Sequence, residues 1–140
     1  MASFMGTLEP LSPRARAALV VEILSEYVPS WRILKNRNVV EMVRAARDVP
    51  VTHSPVPALL EHKTALRLGR AVGRTMGMLP TDSRCLIRSL VLTRILARRS
   101  ISNTLVIGVR NDPEFIAHAW IEHDGWPILP AGEYTRLTEL

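Results

Sequence analysis

Arg84-Cys85-Leu86-Ile87-Arg88-Ser89-Leu90-Val91-Leu92-Thr93-Arg94-Ile95-Leu96-Ala97-Arg98-Arg99, followed after a short gap by Leu105-Val106-Ile107-Gly108-Val109, is the stretch on which the fold turns. Its first part predicts a helix over about 84–99 that is apolar nearly all round, through Leu86, Ile87, Leu90, Val91, Leu92, Ile95, Leu96 and Ala97. Such a helix sits at the centre of a domain. Then the period changes. Leu105, Ile107 and Val109 alternate, as a half-buried strand does. Asn111-Asp112-Pro113 reads as a turn, Phe115 to Glu122 as a second strand, and Asp124-Gly125 as a hairpin turn. Trp126 to Leu129 reads as a third strand, at an edge because it contains Pro127.

Upstream of this stretch the chain is helical. Residues 1–11 are expected to be disordered or loosely docked. Ser12 is a natural N-cap, with Pro13 at the first helical position, where its missing N–H is not needed. Ala15, Leu19, Ile23 and Tyr27 then recur every four residues, with Ala18 and Leu24 beside them; Arg14, Arg16, Glu22, Ser25 and Glu26 take the other side. Pro29 sets the expected end near Val28. A second helix is predicted from about Asn38 to Arg47, with Val39, Met42, Val43 and Ala46 on its apolar face, and Pro50, Pro55 and Pro57 make the next connection extended. A third is predicted from about Ala58 to Met78. In it Ala65, Gly69, Gly73 and Gly77 form one row, which suggests a backbone passing close, and Lys63, Arg67, Arg70 and Arg74 form a basic stripe. Helices first and an antiparallel sheet second make the class α+β. No repeat or boundary divides residues 1–140, so one domain is expected, with an N-terminal helical part at 1–57.

Composition narrows the function. Residues 1–140 are 47% apolar, enough for one real core. No run approaches the roughly 18 uncharged apolar residues of a membrane span, and no basic segment followed by an apolar stretch opens the chain. The single cysteine, Cys85, rules out an internal disulfide and fits a reducing compartment. A cytoplasmic location without membrane association is therefore expected. The net charge of +5 suits solubility or an acidic partner, but aromatics make up only 5% and give little to stack on bases. No zinc-type Cys/His cluster and no Gly-rich phosphate loop is present. No nucleic-acid partner, metal or cofactor is expected.

The residues that suggest chemistry are Cys85 and His118. A thiol in the first turn of a helix, with Asp82 or Ser83 as the cap, faces unpaired N–H groups and the positive end of the dipole, and both favour the thiolate. Those N–H groups can also stabilise an oxyanion. His118 sits in a strand between Ala117 and Ala119, on the same face as Trp120 and Glu122. Taken singly, a buried Cys is most often inert packing and a strand His a satisfied core residue. Together, a Cys opening a buried helix and a His on the sheet against it match a nucleophile and its base. Trp120 is read as core or as a wall of the site. His53 in a Pro-rich loop and His62 on a helix lack this setting, and His123 beside the hairpin turn is expected to be solvated.

Arg84 to Leu90, Leu105 to Val109 and Ala117-His118-Ala119-Trp120-Ile121-Glu122, with Leu79-Pro80 ahead of them, resemble the core blocks of the transglutaminase-like leader peptidases of lasso-peptide biosynthesis. The resemblance covers residues 58–140 well and the N-terminal helices weakly. It implies a papain/transglutaminase-like core and a cysteine peptidase that cuts a ribosomally made precursor between leader and core. It further implies a separate winged-helix leader-recognition protein and an ATP-dependent lasso cyclase as partners, in a split system with a stand-alone peptidase. The family commonly places an Asp about twelve residues past the His, where this chain has Pro130. Glu133 is favoured as a replacement third member, with Asp124, Glu122 or a plain Cys–His dyad as alternatives. The stripe of Lys63, Arg67, Arg70 and Arg74 is a solvated face or a docking surface for the recognition complex. Two rivals stay open: another transglutaminase-like acyl-transfer enzyme, and a non-enzymatic basic binding module.

Overall fold

A computed structural model of the chain describes residues 8–35, 38–77, 85–111, 114–129 and 131–140. Four helices precede a four-stranded antiparallel sheet, so the class is α+β. The helices are α1 (Pro13–Leu34), α2 (Val39–Arg47), α3 (Ala58–Gly77) and α4 (Cys85–Ala97). The strands are β1 (Thr104–Arg110), β2 (Ile116–His123), β3 (Trp126–Pro127) and β4 (Thr135–Glu139), in the order β3-β2-β1-β4. The expected end of the third helix at Met78 and the turn residues Asp112 and Pro113 lie outside the described residues.

Local chemistry sets the helix starts. Ser12 accepts a hydrogen bond from the Ala15 N–H at 3.1 Å, with Pro13 behind it. Asn38 does the same for Val40 at 2.9 Å. The end of α1 differs from expectation, since the helix runs through Pro29 to Leu34. The carbonyl that Pro29 leaves unbonded belongs to Ser25, which is exposed and can be hydrated. Beyond the proline Trp31 and Leu34 pack on the core, which offsets the lost bond.

α4 is the centre. Ile87, Leu90, Val91, Leu92, Ile95 and Leu96 are all buried, and α1, α2, α3 and the sheet pack around them. One acid expected on the outer side of α1 goes inward: Glu26 is only 4% exposed and pairs with Arg94 and Arg98, at 2.7 Å for the latter. Glu22 stands about one turn before Glu26 on the same face, where it holds Arg99 at 2.7 and 2.8 Å. Charge thus clamps α1 to the C-terminal end of α4.

The hairpin turn is as expected, with Asp124 at φ 51° and Gly125 at φ 81°, the two positive values of a type I′ turn. β3 lies at an edge but is two residues long. Ile128 and Leu129 then turn in and are buried, both donating to the Ile121 carbonyl. β4 is a strand the sequence does not announce, because all five of its residues are exposed. It forms on the open edge of β1 through backbone pairing and closes with two 2.8 Å bonds between Leu105 and Leu140.

Only one glycine of the α3 row meets a close backbone among the described residues. A Cβ at Gly69 would sit 2.0 Å from the Ile128 carbonyl oxygen, whereas nothing lies within 4 Å at Gly73 or Gly77. Gly69→Ala is therefore expected to cost about 1–3 kcal/mol, as overpacking does. Gly73→Ala should add up to about 1 kcal/mol of helix stability. Urea unfolding midpoints would separate the two, and equal shifts would refute the close approach.

Candidate active site

Cys85 is the first residue of α4 and is half-buried. The cap expected at Asp82 or Ser83 lies outside the described residues. The Cys85 sulfur accepts the backbone N–H of Ala119 at 3.3 Å, which ties the helix start to β2 one residue beyond His118. One turn on, the Ser89 hydroxyl donates to the Cys85 carbonyl at 2.8 Å.

His118 lies opposite Gly108 of β1. Its ring packs against Trp120 (centroids 5.7 Å apart, planes at 25°) and Tyr134 (4.8 Å, 29°), and those two rings are 6.4 Å from each other. Gly108 makes the room. A Cβ there would meet both the Trp120 ring and Tyr134 Cβ at 2.8 Å. The Arg110 guanidinium stands 5.1 Å from the Tyr134 ring centre, within cation–π range. Trp120 is buried in the core, backing His118.

Cys85 and His118 line one pocket of about 190 Å³, with Arg88, Ala119, Leu129, Gly132 and Tyr134. A larger groove of about 670 Å³ beside α1 holds neither Cys85 nor His118, so size alone does not locate the chemistry. The family model for the transglutaminase-like superfamily matches residues 28–140, most of the chain.

This chain belongs to the transglutaminase-like superfamily.

The match begins inside α1 and takes in all three later helices and the sheet. No curated protein and no solved structure matches the chain. A transglutaminase-like domain points to cysteine chemistry of the protease or acyltransferase type, and the Cys-bearing helix packed on the sheet is its core.

The three candidate acids of this transglutaminase-like domain have separate surroundings. Glu122, only 3% exposed, accepts the Trp120 indole N–H at 2.8 Å and two Arg136 bonds at 2.7 and 2.8 Å. The Arg136 hydrogen bonds hold its carboxyl below the usual range; burial opposes that shift, and the Trp120 bond adds to it. Glu122 thus fixes the ring that backs His118. Asp124 is exposed in the hairpin turn, its carboxylate 3.6 Å from His123. Glu133 is exposed and lines a different pocket with Arg110, Asn111 and Thr135. Pro130, at the family's Asp position, lies outside the described residues.

Of the other histidines, His53 is exposed next to Thr52 and Glu22. His123 departs from expectation. It is buried, 2% exposed, because it follows Ile121 on the face of β2 that meets α3. There its Nδ1 lies 2.9 Å from His62 Nδ1 and its Nε2 is 3.2 Å from the Glu61 carboxylate. Among the described residues no group of three such side chains is arranged to hold a metal ion, and none of their helices is long and apolar enough to cross a membrane.

The basic stripe is largely on the surface. Lys63, Arg70 and Arg74 are exposed, while half-buried Arg67 donates to the Glu9 carbonyl. Arg67, Arg70 and Arg74 join Arg16 of α1 around a groove of about 540 Å³ floored by Leu19, Val20 and Ala71. Sequence reading missed Arg88 and Tyr134. Arg88 could have been found, since it stands three residues after Cys85 and so shares its helix face. Tyr134 precedes a strand that has no apolar alternation and carried no such signal.

Proposed function

We propose that this domain is a cysteine peptidase that removes the leader from a ribosomally made lasso-peptide precursor. The observation that carries the reading is the shared pocket of Cys85 and His118, with the Cys85 sulfur bonded to the backbone beside the histidine. The three sequence blocks around these residues and superfamily membership support it.

In this mechanism the His118 imidazole takes the Cys85 proton and the thiolate adds to the scissile carbonyl. The Cys85 N–H, in the first turn of α4 where backbone N–H groups have no intrahelical partner, helps hold the oxyanion. The imidazolium returns the proton to the departing amine, leaving a thioester on Cys85. Water then attacks, giving its proton to His118, and the new carboxylate leaves as the thiol re-forms. We favour a dyad whose imidazole is held by Trp120 and Tyr134. Glu122 is engaged by Arg136, while Glu133 and Asp124 are exposed and absent from the described lining of the pocket. The chemistry as written uses no metal or cofactor. The reading includes a cytoplasmic setting, a separate winged-helix leader-recognition protein and an ATP-dependent lasso cyclase acting on the product.

The test is mass spectrometry of the precursor, with the recognition protein, after incubation with the enzyme. Hydrolysis leaves a free carboxylate on the leader, while acyl transfer would leave an amide to an added amine and favour the rival enzyme. His118→Ala should slow cleavage by roughly a hundredfold or more. Normal cleavage by that variant would move the base elsewhere.

The groove between α1 and α3 is the proposed docking face for the recognition complex, since exposed charge speeds encounter and sets orientation. Arg70→Glu with Arg74→Glu should raise the apparent KM for the complex several-fold at low salt and leave Cys85 alkylation unchanged. An unaltered KM would make the stripe a solvated face.

A further inference from the structure

Arginines on the later turns of α4 and just past its end are all matched to acids. Arg94 and Arg98 meet Glu26, and Arg99 meets Glu22. Arg88, on the first turns, meets no acid among the described residues. It lines the Cys85–His118 pocket, and its Nε is buried without a hydrogen-bond partner. Among the described residues lining that pocket none is acidic. A buried donor left unmade costs free energy, so an unpaired Nε on half-buried Arg88, beside the thiol, needs a reason.

Helix geometry supplies the placement. Arg88 follows Cys85 by three residues, so both side chains stand on one face of α4. The rest of the lining is Ala119, Leu129, Gly132 and two rings, which cannot neutralise a cation. A planar fork of N–H donors in a small, weakly polar pocket is matched by a planar anion of two oxygens.

We infer that Arg88 is a substrate-binding residue that receives a peptide carboxylate next to the thiol. Two sources carry that group: an acidic side chain close to the scissile bond, and the α-carboxylate that hydrolysis leaves on the released fragment. Its part in turnover rests on the peptidase reading above; the binding itself does not.

The test uses full-length Cys85→Ala protein with 15N-labelled arginine, in which the Arg88 Nε–H signal is assigned by its loss in Arg88→Lys. Three blocked ligands are titrated: N-acetylglycine, with only an α-carboxylate; N-acetylglutamate N-methylamide, with only a side-chain carboxylate; and N-acetylglutamine N-methylamide, with neither. A saturable shift for at least one carboxylate, roughly tenfold tighter than the carboxamide, is expected, on the scale of one charge-assisted bond. Whichever binds names the source. No saturable shift with either carboxylate, or equal binding of the carboxamide, overturns the inference.

A second arm uses the reactive thiol. The ratio of Cys85 alkylation rates, iodoacetate over iodoacetamide, should fall at least several-fold in Arg88→Gln and be partly kept in Arg88→Lys. An equal fall with both reagents would assign Arg88 to the thiolate instead and overturn carboxylate binding. If wild-type Cys85 reacts with neither reagent, the peptidase reading fails, and the titration still decides the carboxylate site.

Discussion

Cys85→Ala is expected to abolish the proposed leader removal and to leave the fold standing. The nucleophile has no substitute in the pocket, whose other described residues are Arg88, His118, Ala119, Leu129, Gly132 and Tyr134. Without a thioester, residual cleavage falls on the order of a thousandfold or more. Structure should survive because Ala suits the first turn of a helix and Cys85 is half-buried, outside the packed centre. Its sulfur gives up one weak contact, to the Ala119 N–H. Mass spectrometry of the precursor and a thermal melt of the variant check both halves. Full-rate cleavage by a folded variant would remove Cys85 from the mechanism.

Glu26→Gln is expected to unfold at markedly lower denaturant. The Glu26 side chain is 5% exposed and holds Arg94 and Arg98, themselves 12% and 20% exposed. The amide keeps the shape but removes the charge, and it presents an N–H₂ to a guanidinium that can only donate. Two largely buried cations then lack a counter-charge, and breaking such a group by removing one partner costs about 3–5 kcal/mol. With a urea slope of about 1–3 kcal/mol per molar, the midpoint should fall by roughly 1–3 M at unchanged slope. Glu22→Gln should cost less, because Glu22 is more exposed at 17%. A midpoint shift under about 0.3 M for Glu26→Gln would show that hydration already screens the cluster.

The elements most legible in the sequence are those set by neighbours in the chain. Ser12-Pro13 and Asn38 start α1 and α2 because a side-chain oxygen reaches a backbone N–H two or three residues on. Asp124-Gly125 turns because both residues tolerate positive φ. Pro29 misled because its local penalty is real but smaller than what packing of Trp31 and Leu34 on the core returns. His123 and Glu26 misled for one reason: a polar residue reads as solvent-facing until a partner from a distant element satisfies it, here Glu61 and His62, and Arg94 and Arg98.

By itself the sequence determined the class and the layout: an apolar helix opening on Cys85, a change of period before Leu105, and His118 on the second strand. Those features are periodic or local, so they survive being read one residue at a time. Tertiary structure alone decided that β4 pairs with β1, that Tyr134 joins Trp120 against His118 across the gap left by Gly108, and that the Arg88 Nε is buried without a hydrogen-bond partner beside the thiol. Each depends on groups far apart in the chain. Backbone pairing, ring contact and an unpaired buried donor are properties of a neighbourhood, and the neighbourhood exists only once the chain has folded.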